Sequence, residues 1–257
     1  MKFGVCCQYE RIEEVKNAGY DYFEPSFQNV VKFTDEEFAN AKAQVEKINF
    51  YAEAMNGFFP GDYKLYELDD QFFMDYCEKG FLRAAQLGCK VAVIGSGKAR
   101  QVPEGYSKEE ALNRFSQILR ICGNVGEKYG INIVIEPLNT GETNIVNTLA
   151  DGLELQKLCA HPNVGCLADF FHVHKSGEGL DTVAKYGAQL GHTHLARRND
   201  DRRIPSCEEA IDMEDCALIA KALKGSGYDL RMTLEGSFHP DFSTAIKNVW
   251  PILSMFK

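Results

Sequence analysis

The segment NIVIEPLNTGETNIVNTLADGLELQKLCAHPNVGCLAD (132–169) decides the fold. It opens on a short run of β-branched and apolar residues, NIVIEP (132–137), that Pro137 stops. It closes on a second such run, VGCLAD (164–169). Between them Thr148 stands three residues before Asp151, a start signal in which a cap hydroxyl and an acidic side chain serve the first free N–H groups of a helix. Two strands joined through a helix pair in parallel, because the crossover is too long for a hairpin.

The same rhythm continues in both directions. FGVCC (3–7), YFEP (22–25), FYAEAM (50–55), VAVIG (91–95), LGHTHLA (190–196) and RMTLEG (231–236) are further apolar runs, which brings the set to eight. The segments between them read as helices. From Ser107 to Tyr129 apolar residues recur at Leu112, Phe115, Ile118, Leu119, Cys122, Val125 and Tyr129, a spacing that lines one helix face. Ser107 with Glu110, and Thr34 with Glu37, form capping boxes. The tail from Phe242 to Phe256 has a helical pattern that Pro251 must kink or break. Eight strand–helix repeats over residues 1–257 predict one domain, a (β/α)8 TIM barrel. A doubly wound open sheet is the structural alternative, but no G-x-G-x-x-G turn follows the first strand.

Bulk properties narrow the function. With 45% hydrophobic and 25% charged residues, the composition is that of an ordinary globular protein. No apolar run reaches the roughly 18–20 residues of a membrane helix, and MKFGVCCQYE is too short in apolar length for a secretory signal. The expectation is a cytoplasmic protein without a membrane partner. Nine cysteines, odd in number and without a C-x-x-C pair, read as reduced, small apolar residues. The net charge of −9 opposes approach to phosphate backbones, so no nucleic-acid partner is expected.

In a barrel the chemistry gathers where strands end. NIVIEP delivers Glu136 there, VGCLAD delivers Asp169, LGHTHLA delivers His194 and TLEG delivers Glu235. Each alone has a duller reading: a salt-bridged strand end for Glu136, a helix cap for Asp169, a packed pair for His-x-His. Four in equivalent places on consecutive strands point to a shared site. Unpaired, the carboxylates would repel, and a divalent cation relieves that. Three carboxylates and one imidazole suit Mn²⁺, Mg²⁺, Co²⁺ or Fe²⁺ rather than a sulfur-rich zinc site, with Zn²⁺ still open. His192 lies two residues before His194 and so is expected to face the same way along a strand.

The motifs IEPLNTGETN (135–144), LADFFHVHKSGE (167–178), GHTHLA (191–196) and YDLRMTLEG (228–236) resemble those of the sugar isomerase/epimerase family with the xylose-isomerase-like TIM barrel. Ketose 3-epimerases and hydroxypyruvate isomerase look nearest, and NGFFPGD (56–62) and GSGKAR (95–100) look like family loops. The resemblance implies one divalent metal on Glu136, Asp169, His194 and Glu235, with Glu136 and Glu235 also acting as the catalytic acid/bases. It implies that His172 hydrogen-bonds a substrate oxygen, that Glu142 contacts substrate or steadies the strand 5 loop, and that His192 either faces the substrate or supports His194. It further implies proton transfer beside a carbonyl through a cis-enediolate of a ketose or related sugar, and a homo-oligomer, dimer or tetramer, on which nothing else in the chain bears.

The chain departs from the family pattern after strand 7. There RRNDDRRIPSCEEAID replaces an Arg-x-x-Pro-Gly-x-Gly loop, and leaves Arg197, Arg202 and Arg203 as candidates to reach the substrate. Arg202 and Arg203 are the preferred pair; the alternative is a solvated loop paired with Asp200 and Asp201. Lys98 and Arg100 could receive a phosphate, or belong to a plain surface loop. Phe58, Phe59 and Tyr9 could wall the substrate or simply pack. A lyase of the inosose dehydratase type shares the chemistry of the first step and is the main functional alternative. An AP-endonuclease-like nuclease needs histidines from the early strands, and the first histidine in this chain is His161.

Overall fold

A computed structural model describes residues 1–198 and 201–257. Eight strands form one parallel sheet: β1 (Lys2–Cys6), β2 (Tyr22–Glu24), β3 (Ala54–Met55), β4 (Val91–Ile94), β5 (Asn132–Ile135), β6 (Val164–Asp169), β7 (Leu190–Leu195) and β8 (Arg231–Leu234). Their order is β2-β1-β8-β7-β6-β5-β4-β3. Between β2 and β3 a single parallel bridge, Ser26 to Asn56, draws the two edges together, so the barrel is nearly closed. All eight sequence runs contain a strand. The run FYAEAM contributes only its last two residues, because Phe50 and Ala52 donate their N–H groups to Val45 and Leu87 rather than to a neighbouring strand.

The helices begin where their capping residues predict. Asp35–Ile48 follows the Thr34/Glu37 box, Lys108–Lys128 the Ser107/Glu110 box and Leu149–Cys159 the Thr148/Asp151 box, each with both reciprocal bonds formed. Pro251 splits the tail into Phe242–Asn248 and Trp250–Leu253, where it occupies the first turn of the second helix and needs no N–H.

Two apolar layers hold the fold. The larger lies between strands and helices, and the smaller, Tyr22, Ala54, Val91, Val93, Val134 and Leu167, fills the barrel axis. Along each strand every second residue belongs to the axis, as strand geometry requires. One step beyond this plug towards the C-terminal ends, the inward positions are Glu24, Glu136, Asp169, His194 and Glu235. The apolar plug is thus the floor on which a charged ring stands.

Candidate active site

Each member of the ring closes its strand. Glu136 follows β5, where its N–H is held by the Ile94 carbonyl at 3.1 Å, and Glu235 follows β8, held by Leu195 at 3.2 Å. Asp169 ends β6 and spends Oδ1 on the N–H of Phe171 at 2.8 Å, capping the helix Phe170–Lys175. His194 directly faces Asp169 across the β6–β7 ladder. One ligand atom from each of Glu136, Asp169, His194 and Glu235 lies within 4.8 Å of all the others. Nδ1 of His194 is 2.9 Å from Glu235 Oε2 and 3.4 Å from Glu136 Oε1. Gly95 makes room: a Cβ there would stand 2.2 Å from Glu136 Oε2.

Glu24 is the residue that sequence reasoning missed. It is fully buried, and its two oxygens accept from both histidines, His194 Nε2 at 2.9 Å and His192 Nε2 at 3.0 Å, and from Thr233 Oγ1 at 2.5 Å. Its signal was present in YFEP, an acid closing an apolar run as Glu136, Asp169 and Glu235 do, but β2 lies outside the consecutive set β5–β8. Glu24 explains His-x-His. By accepting from His194 Nε2 it fixes the ring so that Nδ1 faces the carboxylates, the orientation a metal-ligating imidazole needs; in the metal-free ring that nitrogen also carries a proton, which an ion would displace. His192 sits one layer lower, fully buried between Glu24 and Thr233. Of the two roles expected for His192, the geometry supports the one in which it braces the site from beneath, through Glu24, and not the substrate contact. A register shift does this. Leu190 faces Cys166 and His192 faces Leu167, leaving Gly191 extra on the β7 side.

Other expected residues divide similarly. His172 is buried above Asp169, with Nδ1 accepting from the Asn139 N–H at 3.2 Å and Nε2 lacking any hydrogen-bond partner. Burial, and then the nearby Arg202 charge, push it down to about 4, so it is a neutral donor. Glu142 stands 3.9 Å from that nitrogen and 3.8 Å from Arg202 Nη1. Arg202 reaches into the ring, donating from Nη2 to Asp169 Oδ2 at 2.7 Å and Glu235 Oε2 at 2.8 Å. Arg203 does not: its Nε bonds Asp201 Oδ2 at 2.5 Å, which turns the side chain away from the ring and corrects the expectation of a substrate contact. Asp200 lies outside the described residues. Arg197 is engaged by both oxygens of Glu209. Arg100 is fully buried and donates to the Glu136 carbonyl at 2.9 Å, so it braces the end of β5 and receives no phosphate. Phe58, Phe59 and Tyr9 are buried packing residues. Asn56, unforeseen, donates to Glu235 Oε1 at 3.0 Å and lines an open cleft of about 410 Å³ with Cys6, Gln8, Arg11, Phe238 and Phe242.

The residues fit a divalent cation. Burial, then the charges of Glu235 and Glu136, lift the Asp169 carboxyl to about 8 despite Arg202, the mark of a place short of positive charge. Burial also pushes Glu235 up, but His194 and Arg202 outweigh it and hold Glu235 at about 2. His194 is raised well above its ordinary value by Glu235 and Glu24 against burial. Three oxygen donors and one imidazole nitrogen suit a hard or borderline ion.

Comparison with known proteins agrees with this architecture. The family model described as xylose isomerase-like TIM barrel matches residues 12–248. A D-psicose 3-epimerase of Agrobacterium fabrum is 26% identical over 201 residues, 76% of this chain and 68% of that protein. An inosose isomerase of Bacillus velezensis is 26% identical over 144 residues, 52% of this chain and 50% of that protein. Among solved structures, an L-ribulose 3-epimerase superposes with a TM-score of 0.81 at 16% identity, covering 99% of this chain and 94% of the other. The IolI protein, described with a bound zinc atom, gives 0.74 at 19%, covering 100% and 98%. Among the described residues no helix is long and apolar enough to cross a membrane.

Proposed function

The chain belongs to the xylose isomerase-like TIM barrel family, and we propose that it is an isomerase, a sugar epimerase or aldose–ketose isomerase that moves a proton on a carbon beside a ketose carbonyl with one divalent ion. The observation that carries this reading is the convergence of Glu136, Asp169, His194 and Glu235 within 4.8 Å at the ends of four consecutive strands. Those four residues would hold the ion, with Mn²⁺, Mg²⁺ or Co²⁺ suiting the donors best and Fe²⁺ or Zn²⁺ also accommodated. When bound, such an ion supplies Lewis-acid stabilisation of the negative charge that builds on the substrate oxygens.

The chain supplies the rest. Glu136 and Glu235 come from strands on different sides of the mouth, β5 and β8, and can address two faces of one carbon. One accepts the proton and the other returns it: return to the opposite face inverts the centre, and return to the neighbouring carbon exchanges ketose and aldose. Acid–base help of this kind is worth about 10²–10⁴-fold. Asn56 fixes the plane of Glu235 through Oε1. His172, whose buried Nε2–H has no partner, would donate to a substrate oxygen, with Glu142 beside it. Arg202 covers the open side of the ring.

The experiment is proton exchange in D₂O. Protein loaded with Mn²⁺ is incubated with ketoses and ketose phosphates and followed by NMR. Deuterium at C3 with a new epimer identifies a 3-epimerase; deuterium at C1 or C2 with an aldose identifies an isomerase. Glu136→Gln and Glu235→Gln should each lower exchange at least 10²-fold, with bound metal measured beside the rate. Loss of a hydroxyl from an inosose, without exchange on ketoses, would move the assignment to a lyase. Exchange that survives in both Gln variants refutes the acid–base roles of Glu136 and Glu235.

A further inference from the structure

Arg202 occupies an unusual place for a side chain that also lies at the mouth. Asp169 has spent Oδ1 on the Phe171 N–H, and Glu235 has given Oε1 to Asn56. That leaves Asp169 Oδ2 and Glu235 Oε2, and both are held by one nitrogen, Arg202 Nη2, at 2.7 and 2.8 Å. We propose that Arg202 is the tethered counter-cation of the metal-free site, seated on the two oxygens a divalent ion requires, so that ion binding and the seating of Arg202 oppose each other. The inference rests on the reading of the ring as a metal site and adds to it a resident competitor.

The geometry leaves little freedom. An ion bound about 2.1 Å from Asp169 Oδ2 lies no more than about 5 Å from Nη2, and less when it also touches Glu235. Two like charges at that separation in a buried ring repel strongly, because little water intervenes. The guanidinium has somewhere to go. Glu142 Oε1 is 3.8 Å from Nη1 on the solvent side, and the Phe171 ring supports the group with its centroid 5.1 Å away.

The backbone holds Arg202 in this seat. It sits at φ 46°, a left-handed conformation uncommon for a branched or long side chain. Its carbonyl accepts from Ser237 at 2.9 Å, the neighbouring Arg203 carbonyl accepts from Arg197 at 2.8 Å, and Ile204 donates to the Ser237 carbonyl at 3.0 Å. The loop after β7 is thereby zipped to the loop after β8. Gly236 permits the approach, since a Cβ there would meet the Arg202 carbonyl oxygen at 2.4 Å. A segment so constrained is built to place one guanidinium rather than to wave in solvent.

The test is Mn²⁺ affinity by titration calorimetry on metal-stripped wild type and Arg202→Gln. Removing the competitor should tighten binding at least tenfold and lower the melting temperature of the stripped protein more than that of the loaded protein. Equal or weaker binding by Arg202→Gln, with wild type binding normally, overturns the proposal and leaves the metal reading standing. No binding by either protein overturns both. A second measurement needs no variant: in ¹⁵N spectra of wild type titrated with diamagnetic Mg²⁺, a guanidinium resonance should move in step with ion uptake. Uptake without movement of any guanidinium resonance also overturns it.

Discussion

Replacing Glu24 by Gln keeps the shape of the side chain and removes the charge on which two imidazoles converge. The carboxylate accepts from His194 Nε2 and His192 Nε2 with different oxygens. An amide offers one oxygen and one NH₂, so it can satisfy only one of these donors. If the NH₂ group faces His194, Nε2 must give up its proton to accept from it, the remaining proton stays on Nδ1, and that nitrogen can no longer ligate an ion. Loss of such a supporting carboxylate typically lowers metal affinity 10–100-fold, which is about 1.4–2.7 kcal/mol. The same change removes hydrogen bonds to a buried charged acceptor and should cost about 1–3 kcal/mol of fold stability, or roughly 3–10 °C in melting temperature for a chain of this size. Mn²⁺ titration and a circular-dichroism melt read the two effects separately. Thr233→Val is the control: it removes the third donor to Glu24 without touching His194 Nε2, so it should cost stability and spare affinity. Metal affinity in Glu24→Gln within two- to threefold of wild type would refute this role for Glu24.

Gly95→Ala should press on the Glu136 carboxylate and lower exchange activity at least tenfold, while the circular-dichroism spectrum stays unchanged; full activity would show that Glu136 has more room than the 2.2 Å approach allows. Metal uptake should strengthen as pH rises. Burial and the neighbouring carboxylates lift Asp169 to about 8 in the metal-free ring, so below that pH the folded protein carries a proton that the ion must expel. Apparent affinity should climb by up to tenfold per pH unit for each proton released, with His194 contributing its own proton beside Asp169; a flat profile between pH 6 and 8 contradicts the crowded carboxylates. Saturating Mn²⁺ at 100 times its Kd should add about 2.7 kcal/mol, and chelation should therefore lower the melting temperature by about 5–10 °C.

Much of this was legible before any tertiary contact was known. The capping boxes at Thr34, Ser107 and Thr148 mark helix starts because they satisfy backbone donors locally, within four residues. The eight apolar runs predict strands because a parallel barrel buries both faces of each. Glu136, Asp169, His194 and Glu235 could be singled out because a charge closing an apolar run is costly unless something answers it.

What only the tertiary structure decided lies in contacts between residues distant in sequence. Glu24 meets His194 across 170 positions, and no local pattern encodes that meeting. The shift at Gly191 sets His192 beneath the ring as a support rather than beside the substrate, and such a register is chosen by the ladder with β6 rather than by β7 alone. Arg202 and Arg203 are adjacent and chemically alike, yet one enters the ring and the other pairs with Asp201. That choice belongs to the zipped loops after β7 and β8 and to the missing side chain at Gly236, which together decide the direction in which each guanidinium leaves the backbone. The amino-acid order by itself determined the barrel and four of its charged strand ends. The packing of the barrel decided which side chains stand around that charge and which hold it from below, because the electrostatic environment of a buried group is set by neighbours that the chain brings together only when it closes.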